Sequence, residues 1–322
     1  MITVLDHGIP TNAAPAEGED LSAGVAAFAG EGRIAVVHLA VMGAVLTAAA
    51  AGADFANGAA TMLCCAAILL LGLPHGALDM VALLGARSRT QAIISYLVLG
   101  CAMAALWWIM PGAALLLFFA VATVHFGEDW PGSGLIANGG ALALLAAPLL
   151  FHRAEIDALF AVIAGPGAIP PLADALLLVA PVAIAAGITA CALLWISGRV
   201  MLAASSAAAL AGMVVLPPLA GFALCFGLFH SPRQFARGLA DLGGPTWRGP
   251  VAAASGAALL LVLAVALLGD PHLFSAGVVR GTFIVLSVLT VPHMLLPLIL
   301  RAPAAMRQSH KQATSARQTT RP

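Results

Sequence analysis

Residues 58–84 read GAATMLCCAAILLLGLPHGALDMVALL, and no charged side chain interrupts them before Asp79. The stretch Ala59–Leu73 is almost continuously apolar. It shows none of the period-two alternation of a barrel strand. Crossing a hydrocarbon core takes about 20 apolar residues, and in lipid the backbone must satisfy its own hydrogen bonds, so such a run becomes a helix. Ala113–Val124 and Val251–Leu268 repeat the pattern. Across all 322 residues, 61% are hydrophobic and 9% charged, against about 25% charged in soluble domains. A water-soluble globular enzyme is thereby excluded, and the fold class is all-α, a polytopic membrane helical bundle.

Gly/Pro clusters and charges divide the chain into candidate spans at 33–53, 58–84, 91–110, 112–126, 135–151, 172–196, 200–216, 217–231, 250–269 and 277–300. Three are short, so the expected number is about eight to ten. With a cytoplasmic N-terminus and ten spans, Arg33, Arg87, Arg89, Arg199, Arg233, Arg237 and Arg248 share one side, leaving Arg153 and Arg280 opposite. That asymmetry matches the positive-inside rule and puts both termini in the cytoplasm of a multi-pass protein of the cell inner (plasma) membrane. Residues 1–32 read as an acidic N-terminal tail, with a short surface helix around Leu21–Ala29. Residues 33–300 form one transmembrane domain, and residues 301–322 form a basic disordered tail. Zero net charge provides no field for nucleic acid. All five cysteines (Cys64, Cys65, Cys101, Cys191, Cys225) fall in apolar runs, with neither disulfide nor thiolate-metal spacing.

Ionisable residues inside a membrane are costly and point to function. Of nine histidines, His7 and His310 lie in the tails, His152 and His272 in outside loops, and His38 at the start of the first span. Four others stand within or at the ends of spans: His75 in Pro74-His75-Gly76-Ala77-Leu78-Asp79, His125 in His125-Phe126-Gly127-Glu128-Asp129, His230 in Phe229-His230-Ser231-Pro232-Arg233, and His293 in Pro292-His293-Met294. Their four spans run in the same direction, so the imidazoles share the cytoplasmic half and can converge as a metal site, as facing helices of bundles do. Asp79, one turn after His75, is positioned to accept its ring N–H. Glu128 and Asp129 serve either as a solvated cap or as carboxylates behind a ligand. Gln234 shares His230's face if the helix continues past Pro232. Phe118, Phe119, Phe222, Phe226 and Phe229 cluster near these helix ends, where they line an apolar tunnel or simply pack the core. No HExxH, HxxHH or GxGxxG pattern is present.

The four histidine motifs, in this order over about residues 58–300, resemble the Brp/Blh family of bacterial and archaeal membrane β-carotene 15,15′-dioxygenases. The resemblance implies a non-haem Fe(II) enzyme that cleaves the central double bond of β-carotene with O₂, giving two all-trans-retinal, commonly for a microbial rhodopsin. It carries the iron histidines to His75, His125 and His230. The family's next ligand, four residues after His230, is here Gln234, so either His293 or the Gln234 amide completes the set. Two other functions fit a histidine-bearing bundle: a transporter, and a catalytically silent carotenoid- or retinal-binding protein.

Overall fold

Asn57 starts the helix that the apolar run demands. Its side-chain carbonyl accepts the Ala60 backbone N–H at 2.9 Å, and the helix continues from Gly58 to Gly85 through Pro74. The computed structural model describes residues 17–86, 88–130, 134–166, 169–241 and 274–319, with isolated positions between 249 and 256. Within those ranges the side chains of residues 17–30, Leu73, His75, 169–172, Asp241, 274–276 and 301–319 are outside the description. In chain order the elements are α1 Glu17–Ala50, α2 Gly58–Gly85, α3 Arg89–Ile109, α4 Pro111–Gly127, α5 Leu135–Phe151, α6 Arg153–Ala164, α7 Ile169–Ile196 and α8 Val200–Val215. They continue with α9 Pro218–Leu224, a π-helical turn Cys225–His230, α10 Ser231–Asp241 and α11 Phe274–Thr319. No strand occurs among the described residues.

Five of these helices are long and apolar enough to cross a membrane, or six if the bent pair α5–α6 counts as one span. Trp108, Leu178 and Val182 are 90%, 82% and 74% exposed. Large apolar side chains turned outward like this make sense only against lipid. The shorter apolar helices α4 and α8, with the interrupted α9–α10, occupy further expected spans. The candidate span 250–269 lies largely outside the described residues.

Three expectations from the sequence are corrected. The segment after Phe151, read as an outside loop, folds into α6 at 111° to α5. Ile156, Phe160, Ile163 and Ala164 recur at helical spacing and are buried, so the short helix gains by packing its apolar stripe inward. His152 is not solvated but hydrogen-bonds the Val214 carbonyl at 2.9 Å. The tails also differ. α1 begins at Glu17 with acids in its first turn, where the helix dipole favours them. α11 runs on to Thr319, through residues 301–319, which are rich in Ala, Gln and Arg with no glycine and one proline, a composition that propagates a helix.

Packing relies on small residues. Helix association in lipid gains little from the hydrophobic effect and depends on close backbone approach. A Cβ on Gly139 would stand 2.6 Å from that of Ala186, and one on Gly140 would stand 2.5 Å from the Trp130 ring. These contacts hold α5 against α7 and beneath the turn that follows α4. Gly140→Val is expected to lower stability by about 1–3 kcal/mol through overpacking, measured as the midpoint of denaturant unfolding in mixed micelles. An unchanged midpoint would show that Trp130 can yield.

Candidate metal centre

The π-helical turn Cys225–His230, the end of α4 and the middle of α11 bring three imidazoles beside one another. A π-turn inserts an extra residue in the helical repeat and re-aims the side chains after it. Here it brings His230 toward α4 while the chain continues as helix through Pro232. Pro232 follows the π-turn directly, where the looser backbone hydrogen bonding accommodates the N–H it lacks. Two contacts fix the turn against α2. Gly227 approaches Leu71 closely enough that a Cβ would lie 2.7 Å from its side chain. The Ser231 hydroxyl donates to the Leu71 carbonyl, next to the backbone that Pro74 loosens.

His125 and His230 are 2% and 1% exposed. Their Nε2 atoms face each other at 3.0 Å, with ring centroids 4.5 Å apart. The His293 ring lies 5.0 Å from that of His125. Behind each ring stands a carboxylate. His230 Nδ1 is 2.5 Å from Asp129 Oδ2, and His293 Nδ1 is 2.8 Å from Asp79 Oδ1. The His125 Nδ1 to Glu128 Oε2 distance is 3.7 Å, with Glu128 half-exposed. A carboxylate only accepts, so Nδ1 of His230 and His293 bears the proton and Nε2 carries the lone pair.

The carboxylates are themselves held. Tyr96, the chain's single tyrosine, donates from its hydroxyl to Asp79 Oδ2 at 2.8 Å. Arg237 and Gln234 donate to Asp129 Oδ1 at 3.1 and 3.3 Å. Asp129 lies in the turn beyond α4. Burial pushes its carboxyl up to about 6, while the Arg237 and Arg233 guanidiniums and His125 pull the other way. The Arg237 guanidinium at 3.1 Å favours its carboxylate form.

These donors fit a transition-metal ion. Two bonds of about 2.1 Å at a right angle set a pair of nitrogens about 3.0 Å apart, and neutral imidazole backed by a carboxylate is a common ligand for such ions. Among the described residues no group of three or more His, Cys, Asp or Glu side chains is already arranged around one ion position. His75 lies in α2 one turn before Asp79, and its side chain is outside the description.

The residues singled out from the sequence thus divide. His125, His230 and His293 come together. Asp79 hydrogen-bonds His293, and its relation to His75 lies outside the described side chains. Gln234 lies against Asp129 through its amide N–H. Of the adjacent acids, Asp129 rather than Glu128 turns fully inward; its place four residues after His125 is the signal that could have singled it out. Tyr96, Arg237 and the buried set around Arg233 were not singled out. Arg233 donates to Ser205 Oγ and the Phe229 carbonyl, each at 3.0 Å, and its guanidinium lies 3.9 Å over the Phe229 ring. His38 meets the same Ser205 hydroxyl at 2.7 Å. Phe229 thus packs into this cluster, not a tunnel.

Apolar space adjoins the imidazoles. A cavity of about 30 Å³ runs between α2 and α11 and has His293 in its wall. A second, about 40 Å³, is walled by Phe118, Phe119, Phe160, Phe222 and Phe283 with aliphatic side chains around them.

A family model described as beta-carotene 15,15′-dioxygenase matches residues 66–301, a range holding all four histidine motifs. A protein of uncultured marine bacterium 66A03, named beta-carotene 15,15′-dioxygenase, is 28% identical over 268 residues, covering 72% of this chain and 90% of that protein. No solved structure matches the chain. With the match spanning most of the sequence and every helix that carries the site, the chain belongs to the beta-carotene 15,15′-dioxygenase family.

Proposed function

We propose that this protein cleaves β-carotene at its central 15,15′ double bond with O₂, releasing two all-trans-retinal within the cell inner membrane, where a retinal-binding rhodopsin is a natural recipient. The observation that carries this reading is the pair of buried Nε2 atoms 3.0 Å apart, with His293 beside them and apolar cavities adjoining. His125, His230 and His293 would hold Fe(II), together with His75 as the family resemblance implies, and both termini would lie on the cytoplasmic side. When bound, the iron supplies the activation of O₂ next to the double bond.

The chain's own residues do the rest. Asp129 and Asp79 keep the proton on Nδ1 of His230 and His293, so that the opposite nitrogen is free to bind a metal. Arg237 and Gln234 keep Asp129 in place, and Tyr96 does the same for Asp79. Phe118, Phe222 and Phe283 wall the aromatic cavity, where a polyene would find apolar faces, and Phe126, whose ring lies 4.5 Å from His230, helps exclude water beside the imidazoles. Because the substrate already dissolves in the bilayer, it reaches such a site laterally without first entering water.

Gln234→His is expected to leave retinal formation within about threefold of the parent, since Gln234 contributes one modest hydrogen bond to Asp129. Complete loss of activity would show that the amide itself is required. The reading as a whole is tested by expression in a bacterial host that accumulates β-carotene, with chromatography of the extracted pigments and metal analysis of the purified protein. Retinal accumulating as β-carotene fades, from an iron-containing protein, supports it. β-Carotene co-purifying unchanged with an iron-loaded protein would instead identify a binding protein.

A further inference from the structure

Arg233 is the largest of the fully buried side chains among the described residues. A guanidinium inside an apolar bundle is costly to bury unless its hydrogens are taken up. Asp129 gives its oxygens to His230 and Arg237 instead, and Arg233 Nε has no acceptor among the described residues. What the side chain does reach is Phe229, the residue before His230. One terminal nitrogen donates to the Phe229 carbonyl and the other to Ser205 Oγ on α8, each at 3.0 Å, and the guanidinium lies 3.9 Å over the Phe229 ring. Because a guanidinium only donates, Ser205 accepts from it and keeps its own hydrogen for His38 Nδ1 on α1, 2.7 Å away. The Phe229 ring also meets the His38 ring at 5.6 Å and the Trp130 ring at 6.2 Å.

Phe229 stands inside the π-turn, where the Ser231 N–H bonds the Phe226 carbonyl five residues back. One residue of helix is about 100° of rotation, so a lapse of this turn into ordinary α-helix would swing His230 away from His125. The backbone alone does not prevent that, since the π form is the rarer one. We infer that Arg233 is the clamp that does. By holding both the carbonyl and the ring of Phe229 and tying them to α8, it sets the direction in which His230 presents Nε2 to a metal. Asp129 fixes the same imidazole from its other nitrogen, at 2.5 Å. The two acceptors of Arg233 belong to different elements and take different terminal nitrogens, and an ammonium lacks that fork. Arg233 is thus a positioning residue that acts through His230. The inference rests on the reading of the imidazoles as a metal centre.

The test titrates the purified parent, Arg233→Lys, Ser205→Ala and Ser206→Ala with Co(II) in lipid nanodiscs. The visible ligand-field bands give affinity and coordination geometry, and denaturant unfolding in mixed micelles gives stability. Ser206 is the control, because its hydroxyl is as buried as that of Ser205 but has no hydrogen-bond partner among the described residues. Arg233→Lys is expected to bind Co(II) about tenfold more weakly, with shifted bands. Ser205→Ala is expected to bind about threefold more weakly with a shift in the same sense, and Ser206→Ala to match the parent. Parent-like affinity and bands in both Arg233→Lys and Ser205→Ala, with only the unfolding midpoint lowered, would overturn the clamp and leave Arg233 a packing residue. Equal losses from Ser205→Ala and Ser206→Ala would also overturn it, and this pair decides the matter if Arg233→Lys does not fold. A parent that takes up no Co(II) refutes the metal centre and the clamp together. A parent that binds Co(II) but forms no retinal when loaded with iron removes only the dioxygenase reading, and the order of affinities still decides the clamp.

Discussion

Purified His230→Ala protein is expected to retain no more than about a tenth of the parent's iron and to form no detectable retinal, because an imidazole is lost from a site with few ligands. The geometry makes this the most damaging single change. His230 provides one of the two nitrogens that face each other at 3.0 Å, and its other nitrogen is 2.5 Å from Asp129. Truncation removes a ligand and also leaves a buried carboxylate without its nearest donor, a cost of about 1–3 kcal/mol. His230→Gln separates the two effects, since its amide can still donate toward Asp129 while offering iron a poor ligand. A folded His230→Gln protein without iron would confirm the ligand role. An iron-replete, active His230→Ala protein would refute it.

Asp129→Asn carries the second-largest expected effect, a loss of about 10–100-fold in iron affinity, as for other partners of metal-bound histidines. The amide is nearly the same size as the carboxylate, so packing around the turn is kept. Its neutral oxygen is a weaker acceptor for His230 Nδ1–H, and its NH₂ group opposes Arg237 and Gln234, both of which donate to the present carboxylate. Competition with a chelator during reconstitution measures the change directly. Parent-like iron retention would show that Asp129 acts as a structural counter-charge for Arg237 alone. The parallel change at Glu128 has no comparable effect, because that side chain is half-exposed and 3.7 Å from His125.

These two expectations show where sequence reasoning reached and where it stopped. The histidines were legible because a polar ring in an apolar run stands out and because four such motifs recur along the chain. Their partners were not. Asp79 follows His75 by one helical turn, and nothing in that spacing announces its bond to His293, 214 residues away. Glu128 and Asp129 are neighbours at the end of α4, and helical spacing allows either to face His125. The fit of the π-turn beside that end decides which one is buried. Pro232 suggested a break, but the helix passes through it, and Gln234 comes to lie against Asp129 instead of among the imidazoles.

The sequence by itself determined that the protein is a bundle of membrane helices and that histidines gather at one end of it. Both follow from composition along a single chain: an apolar run in lipid has to close its own backbone hydrogen bonds, and a polar ring there is conspicuous. Only the tertiary structure decided which carboxylate stands behind His230 and which behind His293. Those outcomes depend on the rotation and depth of each helix against its neighbours. Close glycine contacts such as Gly72 on Phe226, Gly227 on Leu71 and Gly140 on Trp130 fix them, and no period in the sequence records those contacts.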